Sequence, residues 1–166
     1  MITFIPREAA DFEELQGLED IDLSVEIGGG LEYTGRNYDL YAKLRYGVLG
    51  HESFVAELGG DYVYRPIDQL TLSAGPRVLL GDDSYAQTYF GVTDTGSSFT
   101  PYEATGGIIS AGAEVEAIYS INDDWQVVGT INYDKLQADA ADSPLTVSDD
   151  QFSGSIVLTR RITLGF

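Results

Sequence analysis

The stretch DIDLSVEIGGGLEYTGRNYDLYAKLRYGV, Asp20–Val48, decides the fold. Ile21, Leu23, Val25, Ile27, Leu31 and Tyr33 fall on one parity, and Asp20, Asp22, Ser24, Glu26, Gly28, Gly30 and Glu32 on the other. After Gly35-Arg36 the alternation resumes. Tyr38, Leu40, Ala42, Leu44, Tyr46 and Val48 now oppose Asn37, Asp39, Tyr41, Lys43, Arg45 and Gly47. Successive side chains of a strand point to opposite faces, so a period of two marks a strand with one apolar and one polar face. A tight turn between two such strands makes a hairpin.

The pattern recurs outward over Phe54–Arg65, Gln69–Leu80, Ile109–Ile121, Trp125–Asp134 and Phe152–Phe166, which makes seven strands. Met1–Pro6 is an eighth, or the tail of one. Gly35–Arg36, Pro66–Asp68 and Asn122–Asp123 read as tight turns. Glu8–Glu19, Gly50–Ser53, Asp82–Thr105 and Asp139–Asp150 are longer and mostly acidic, and are expected to be mobile and solvated. Alternating long and short connections describe an up-and-down meander, the organisation of outer-membrane barrels. The expected fold is all-β: an antiparallel up-and-down transmembrane β-barrel of seven or eight strands, one domain over residues 1–166. It is either closed within this chain or the remainder of a larger, N-terminally truncated barrel. A soluble sandwich would also alternate, with its apolar face buried. Strand length favours the barrel, because thirteen or fourteen residues at ~3.3 Å each reach about 45 Å.

In a barrel the polar parity lines the lumen. The lumen-facing charges are then Asp22, Glu26, Glu32, Asp39, Lys43, Arg45, Glu57, Asp61, Arg65, Arg77, Glu114, Glu116, Asp134 and Arg161. They either pair across strands and fill the lumen, or line water and favour cations. Tyr33, Tyr38, Tyr64, Tyr119 and Trp125 lie beside the short turns, where an interfacial aromatic girdle belongs, and Phe166 ends the last strand. Arg160 misfits. It shares parity with Leu158 and Ile162 and would face lipid near mid-depth, at a cost of roughly 2–4 kcal/mol.

The 166 residues carry 27 acids against 9 bases, a net charge of −18. Such a surface repels nucleic-acid phosphates, so no nucleic-acid partner is expected. Without cysteine there is no disulfide framework, thiolate nucleophile or Cys-ligated metal. Met1–Glu8 does not read as a secretory signal.

Several blocks resemble the MipA/OmpV family of Gram-negative outer-membrane proteins, MipA standing for MltA-interacting protein. They are Gly50-His51-Glu52, ELGGDYVYRP at Glu57–Pro66, DDSYAQTYFGV at Asp82–Val92, SAGAEVEAIY at Ser110–Tyr119, INDDW at Ile121–Trp125 and DAADSPL at Asp139–Leu145. The resemblance runs from about Gly17 to Phe166 and covers the C-terminal two-thirds of a member. It implies an outer-membrane location among lipid and lipopolysaccharide. It also implies a scaffold role joining a lytic transglycosylase to a murein synthase, with porin-like conduction of small solutes as the alternative. The family supplies no catalytic residues to carry over, and neither an enzyme nor a cofactor is expected.

Three other features carry potential chemistry. His51, the single histidine, would have to serve any Ser-His-Asp arrangement, but reads as a polar residue in a solvated loop. Asp94-Thr95-Gly96-Ser97 matches the aspartic-protease string in a single copy, without the paired aspartate that chemistry requires. Asp82-Asp83, Asp123-Asp124 and Asp149-Asp150 are hard oxygen ligands without EF-hand spacing. They read as solvated or turn-forming residues, with divalent-ion binding in the external loops as the alternative, so no metal ligands are assigned.

Overall fold

In the computed structural model the described residues are 2–3, 24–49, 51–93 and 99–162, with side chains from residue 25 onward. They form one antiparallel sheet whose eight strands follow chain order. The strands are β1 (Ile2–Thr3), β2 (Ser24–Thr34), β3 (Tyr38–Leu49), β4 (Phe54–Ile67), β5 (Leu70–Gly81), β6 (Gly107–Ser120), β7 (Trp125–Leu136) and β8 (Asp150–Arg160). The seven long strands are those expected from the alternation. Among the described residues β8 pairs with β7 alone, so the sheet is open here and closure into a barrel is not part of its hydrogen bonding. Among the described residues no helix is long and apolar enough to cross a membrane.

Turn chemistry sets the short connections. The Gly35 N–H donates to the Tyr38 carbonyl at 2.7 Å, closing the first hairpin. Asn122 Oδ1 accepts the N–H groups of Asp124 and Trp125, each at 3.0 Å, which is the turn role expected of an Asn. Pro66 falls where the β4–β5 register shifts between Tyr64 and Ile67, as suits a residue that cannot donate to a ladder. Near Pro76 the same ladder passes from Gly59–Arg77 to Tyr62–Ala74, and the backbones nearly touch. A Cβ on Gly75 would lie 1.6 Å from the Gly60 carbonyl oxygen, so only glycine fits.

The register carries each parity across the whole sheet. Gly28–Arg45, Lys43–Glu57, Gly59–Arg77, Gly112–Asp134 and Asn132–Ser153 are cross-strand partners on the polar face. Leu31–Ala42, Leu44–Ala56, Leu58–Val78, Val115–Ile131 and Val127–Leu158 are partners on the apolar face. The apolar face is the exposed one: Leu31 is 82% and Ile156 83% accessible. A soluble sandwich does the opposite.

The long connections correct an expectation. Residues 83–90 form helix α1 (Asp83–Phe90), and 138–142 form a short helix α2 (Ala138–Asp142). Ala86, Ala104, Ile109, Leu136 and Ala140 make a buried cluster there, joined by Leu79, Tyr85 and Tyr102. Asp82 caps α1 by accepting the Tyr85 N–H at 2.9 Å. The described residues of the Asp82–Thr105 and Asp139–Asp150 connections therefore form a packed cap, because their Ala, Tyr and Phe residues bury more apolar surface together than apart. Leu79 and Leu136 lie on the polar parity, level with Ser110. The cap therefore sits on the polar side of the sheet, at its long-connection end. Residues 8–19 and Asp94-Thr95-Gly96-Ser97 lie outside the described residues.

Candidate functional site

The polar face carries two linked ion-pair groups. On β2–β4, Arg45 reaches Glu57 at 3.0 Å, and its Nε lies 2.9 Å from Glu26 Oε2, within ion-pair distance but off the line of a hydrogen bond. Lys43 lies 3.4 Å from Glu57, and the Tyr41 hydroxyl donates to Glu57 at 2.7 Å. On β4–β6, Arg77 binds Asp61 at 2.9 Å and Glu114 at 2.8 Å. Tyr41 joins the groups, with Lys43 4.2 Å and Arg77 5.2 Å from its ring centroid. Partly buried charges need such partners, because a lone one would pay its desolvation uncompensated.

The remaining polar-face acids Glu32, Asp39, Glu116 and Asp134 share the face by register but take no part in these ion pairs. Asp39 Oδ1 is buried without a hydrogen-bond partner. Arg65 donates to the Arg36 carbonyl at 3.4 Å at the short-turn end, and Arg161 follows β8 at that same end. Asp22 and Phe166 lie outside the described residues. An open groove of about 420 Å³ runs along Gly28–Glu32, bounded by Tyr41, Lys43 and Arg45.

His51 corrects a second expectation. It is 4% exposed, not solvated. Its Nδ1 lies 2.5 Å from Ser53 Oγ and its Nε2 3.2 Å from Glu26 Oε1. Tyr85 meets the ring edge-on at 5.4 Å, and Tyr89 lies at 5.9 Å, both from α1. Gly47 makes room, since a Cβ there would come within 2.3 Å of the imidazole. The serine–imidazole–carboxylate order is that of nucleophilic hydrolases. Ser53 is only 1% exposed, however, so a substrate carbonyl has no approach to its hydroxyl. What the trio does is hold β2 and the 51–53 turn beneath α1. Burial pushes the Tyr85 phenol up to about 12, so it stays neutral over His51.

The acids of the long connections have structural roles that their sequence did not disclose. Asp82 Oδ2 accepts the Phe54 N–H at 2.7 Å, and Asp83 accepts the Gly106 N–H at 2.8 Å. Asp139 accepts the hydroxyl and the N–H of Thr105, at 2.5 and 2.9 Å, which hold its carboxyl below the usual carboxylate range. Lys135 draws Asp149 down likewise from 2.9 Å. The available hint was Asp82 ahead of an Ala/Tyr/Phe run, a helix-start signal.

The aromatics take the other face. Tyr33, Tyr38, Tyr64 and Tyr119 are exposed on the apolar side near the short turns. Trp125 pairs with Arg160, whose guanidinium lies 5.4 Å from the indole centroid. This corrects the placement of Arg160: it closes the β7–β8 ladder at the sheet's end, not at mid-height.

A shielded charged face, an exposed apolar face and consecutive long strands define a class, the antiparallel β proteins of inverted polarity. The model of one family, MltA-interacting protein MipA, matches residues 3–162, and the chain belongs to that family. The comparisons with curated proteins and with solved structures returned no match.

Proposed function

We propose that this chain is a non-enzymatic outer-membrane β-barrel protein that scaffolds peptidoglycan remodelling. Its partners in this reading are a lytic transglycosylase of the MltA type and a murein synthase. Family membership carries the partner class. The exposed apolar face supports the membrane setting, since large contiguous apolar surfaces on soluble monomers are rare. In that setting the short turns at Gly35–Asn37, Pro66–Gln69 and Ile121–Trp125 face the periplasm, where murein enzymes work. Affinity capture of purified transglycosylase by the full-length protein in detergent tests it. Retention that is lost when all three turns are replaced supports the surface. Equal retention without them overturns it.

A small-solute channel is the second reading, favoured by the acid-rich polar face. The ion pairs of Arg45 and Arg77 and the cap at one end of that face oppose it. Planar-bilayer recording separates the two: cation-selective steps support the channel, and a silent membrane supports the scaffold.

A further inference from the structure

The described bases divide in two. Lys43, Arg45, Arg77 and Lys135 all hold carboxylates. Arg36, Arg65, Arg160 and Arg161 hold none, and all four lie at the short-turn end. Shortage of acids is not the reason, because the chain has three for every base. Asp123 and Asp124 stand in the adjoining turn. Yet Arg161 contacts that turn only through its backbone N–H, at 2.7 Å from the Asp124 carbonyl. Arg160 instead turns to the apolar face and covers the ring of Trp125.

We propose that this end of the sheet binds the phosphates of anionic phospholipids, with Arg160 on Trp125 as its best-formed contact. The proposal rests on the membrane reading above and names what that surface recognises. Three observations converge on it. The described β7–β8 ladder ends at this row, with Ile162 the one exposed apolar residue of β8's parity described beyond it, so a bilayer covering the exposed apolar face places its headgroups close to this row. Exposed Tyr33, Tyr64 and Tyr119 lie along the same border, the level that amphipathic rings favour. A guanidinium stacked on an indole keeps its N–H fork free, and that fork matches a phosphate's oxygens. The other end of the sheet is unsuited: its cap region carries Glu52, Asp82, Asp83, Glu103, Asp139, Asp142, Asp149 and Asp150 against Lys135 alone.

Trp125 is the only tryptophan and reports the site directly. The full chain is refolded into mixed phosphatidylcholine–phosphatidylglycerol vesicles of one fixed composition. In one sample the phosphatidylglycerol carries bromine high on its acyl chains, in the other the phosphatidylcholine does. The ratio of the two quenching efficiencies gives the enrichment of anionic lipid beside the indole. We expect about fivefold enrichment, the scale of one arginine at an anionic surface. It should fall with added salt, weaken but stay above one in Arg160→Lys, which keeps the charge and loses the fork, and drop to about one in Arg160→Gln with Arg161→Gln. Equal quenching by both lipids in the unaltered protein, or a salt-independent ratio, overturns the proposal while leaving the membrane reading intact. Absence of quenching by either lipid overturns the membrane reading as well.

Discussion

Glu26 on β2 lies 3.2 Å from His51 Nε2 through one oxygen and 2.9 Å from Arg45 Nε through the other. One largely buried carboxylate thereby ties together two strands and the turn that supports the cap. His51→Ala is expected to leave Glu26 and Ser53 short of a partner and to open space under Tyr85. A loss of about 2 kcal/mol follows from such orphaned groups. The signature is local: faster hydrogen exchange in α1, with β6 and β7 unchanged. Uniform acceleration across the sheet would contradict the assignment.

Arg77 compensates both Asp61 and Glu114 at less than 3 Å. Arg77→Met should destabilise the folded protein by about 3 kcal/mol, because two partly buried carboxylates lose their shared cation. Adding Asp61→Asn to it should recover part of the loss. Urea unfolding in detergent micelles measures both, and a neutral single substitution would refute the pairing.

The Thr105–Asp139 contact makes the cap sensitive to acid. Asp139 titrates below its ordinary 3.8 in the folded protein, so its bonds contribute fully above that value. The contribution is lost as pH falls through the lowered folded value. Proteolytic cleavage in 99–106 by an acid-active protease should therefore rise in that window. Asp139→Asn should show raised cleavage already at neutral pH and a flatter profile.

Ile131 is 64% exposed in the middle of β7, on the apolar face. Ile131→Arg would be nearly neutral if that face met water, since exposed substitutions usually fall within about 0.5 kcal/mol. Facing lipid, it should cost about 2–4 kcal/mol. Folding equilibria in phosphatidylcholine vesicles decide, and a neutral outcome argues against a lipid-facing sheet.

What the sequence determined by itself is what depends on neighbours in the chain. The period of two marked all seven long strands, because a strand's facing is a local property of its own alternation. Asn122 was legible as a turn former for the same reason: its side chain bonds to N–H groups two and three residues on. What only the tertiary structure decided depends on register and on segments far apart. Which charges pair follows from sliding β4 against β5 and β6 until Asp61, Arg77 and Glu114 meet, and no single strand encodes that. The cap was hidden because its seat, made of Gly47, Leu79, Gly81 and Leu136, comes from three strands and interrupts the polar parity at one end. His51 was misread as solvated for the same reason. Its burial is made by Tyr85 and Tyr89, more than thirty residues further along the chain, and neither touches it until the sheet brings α1 over the 51–53 turn.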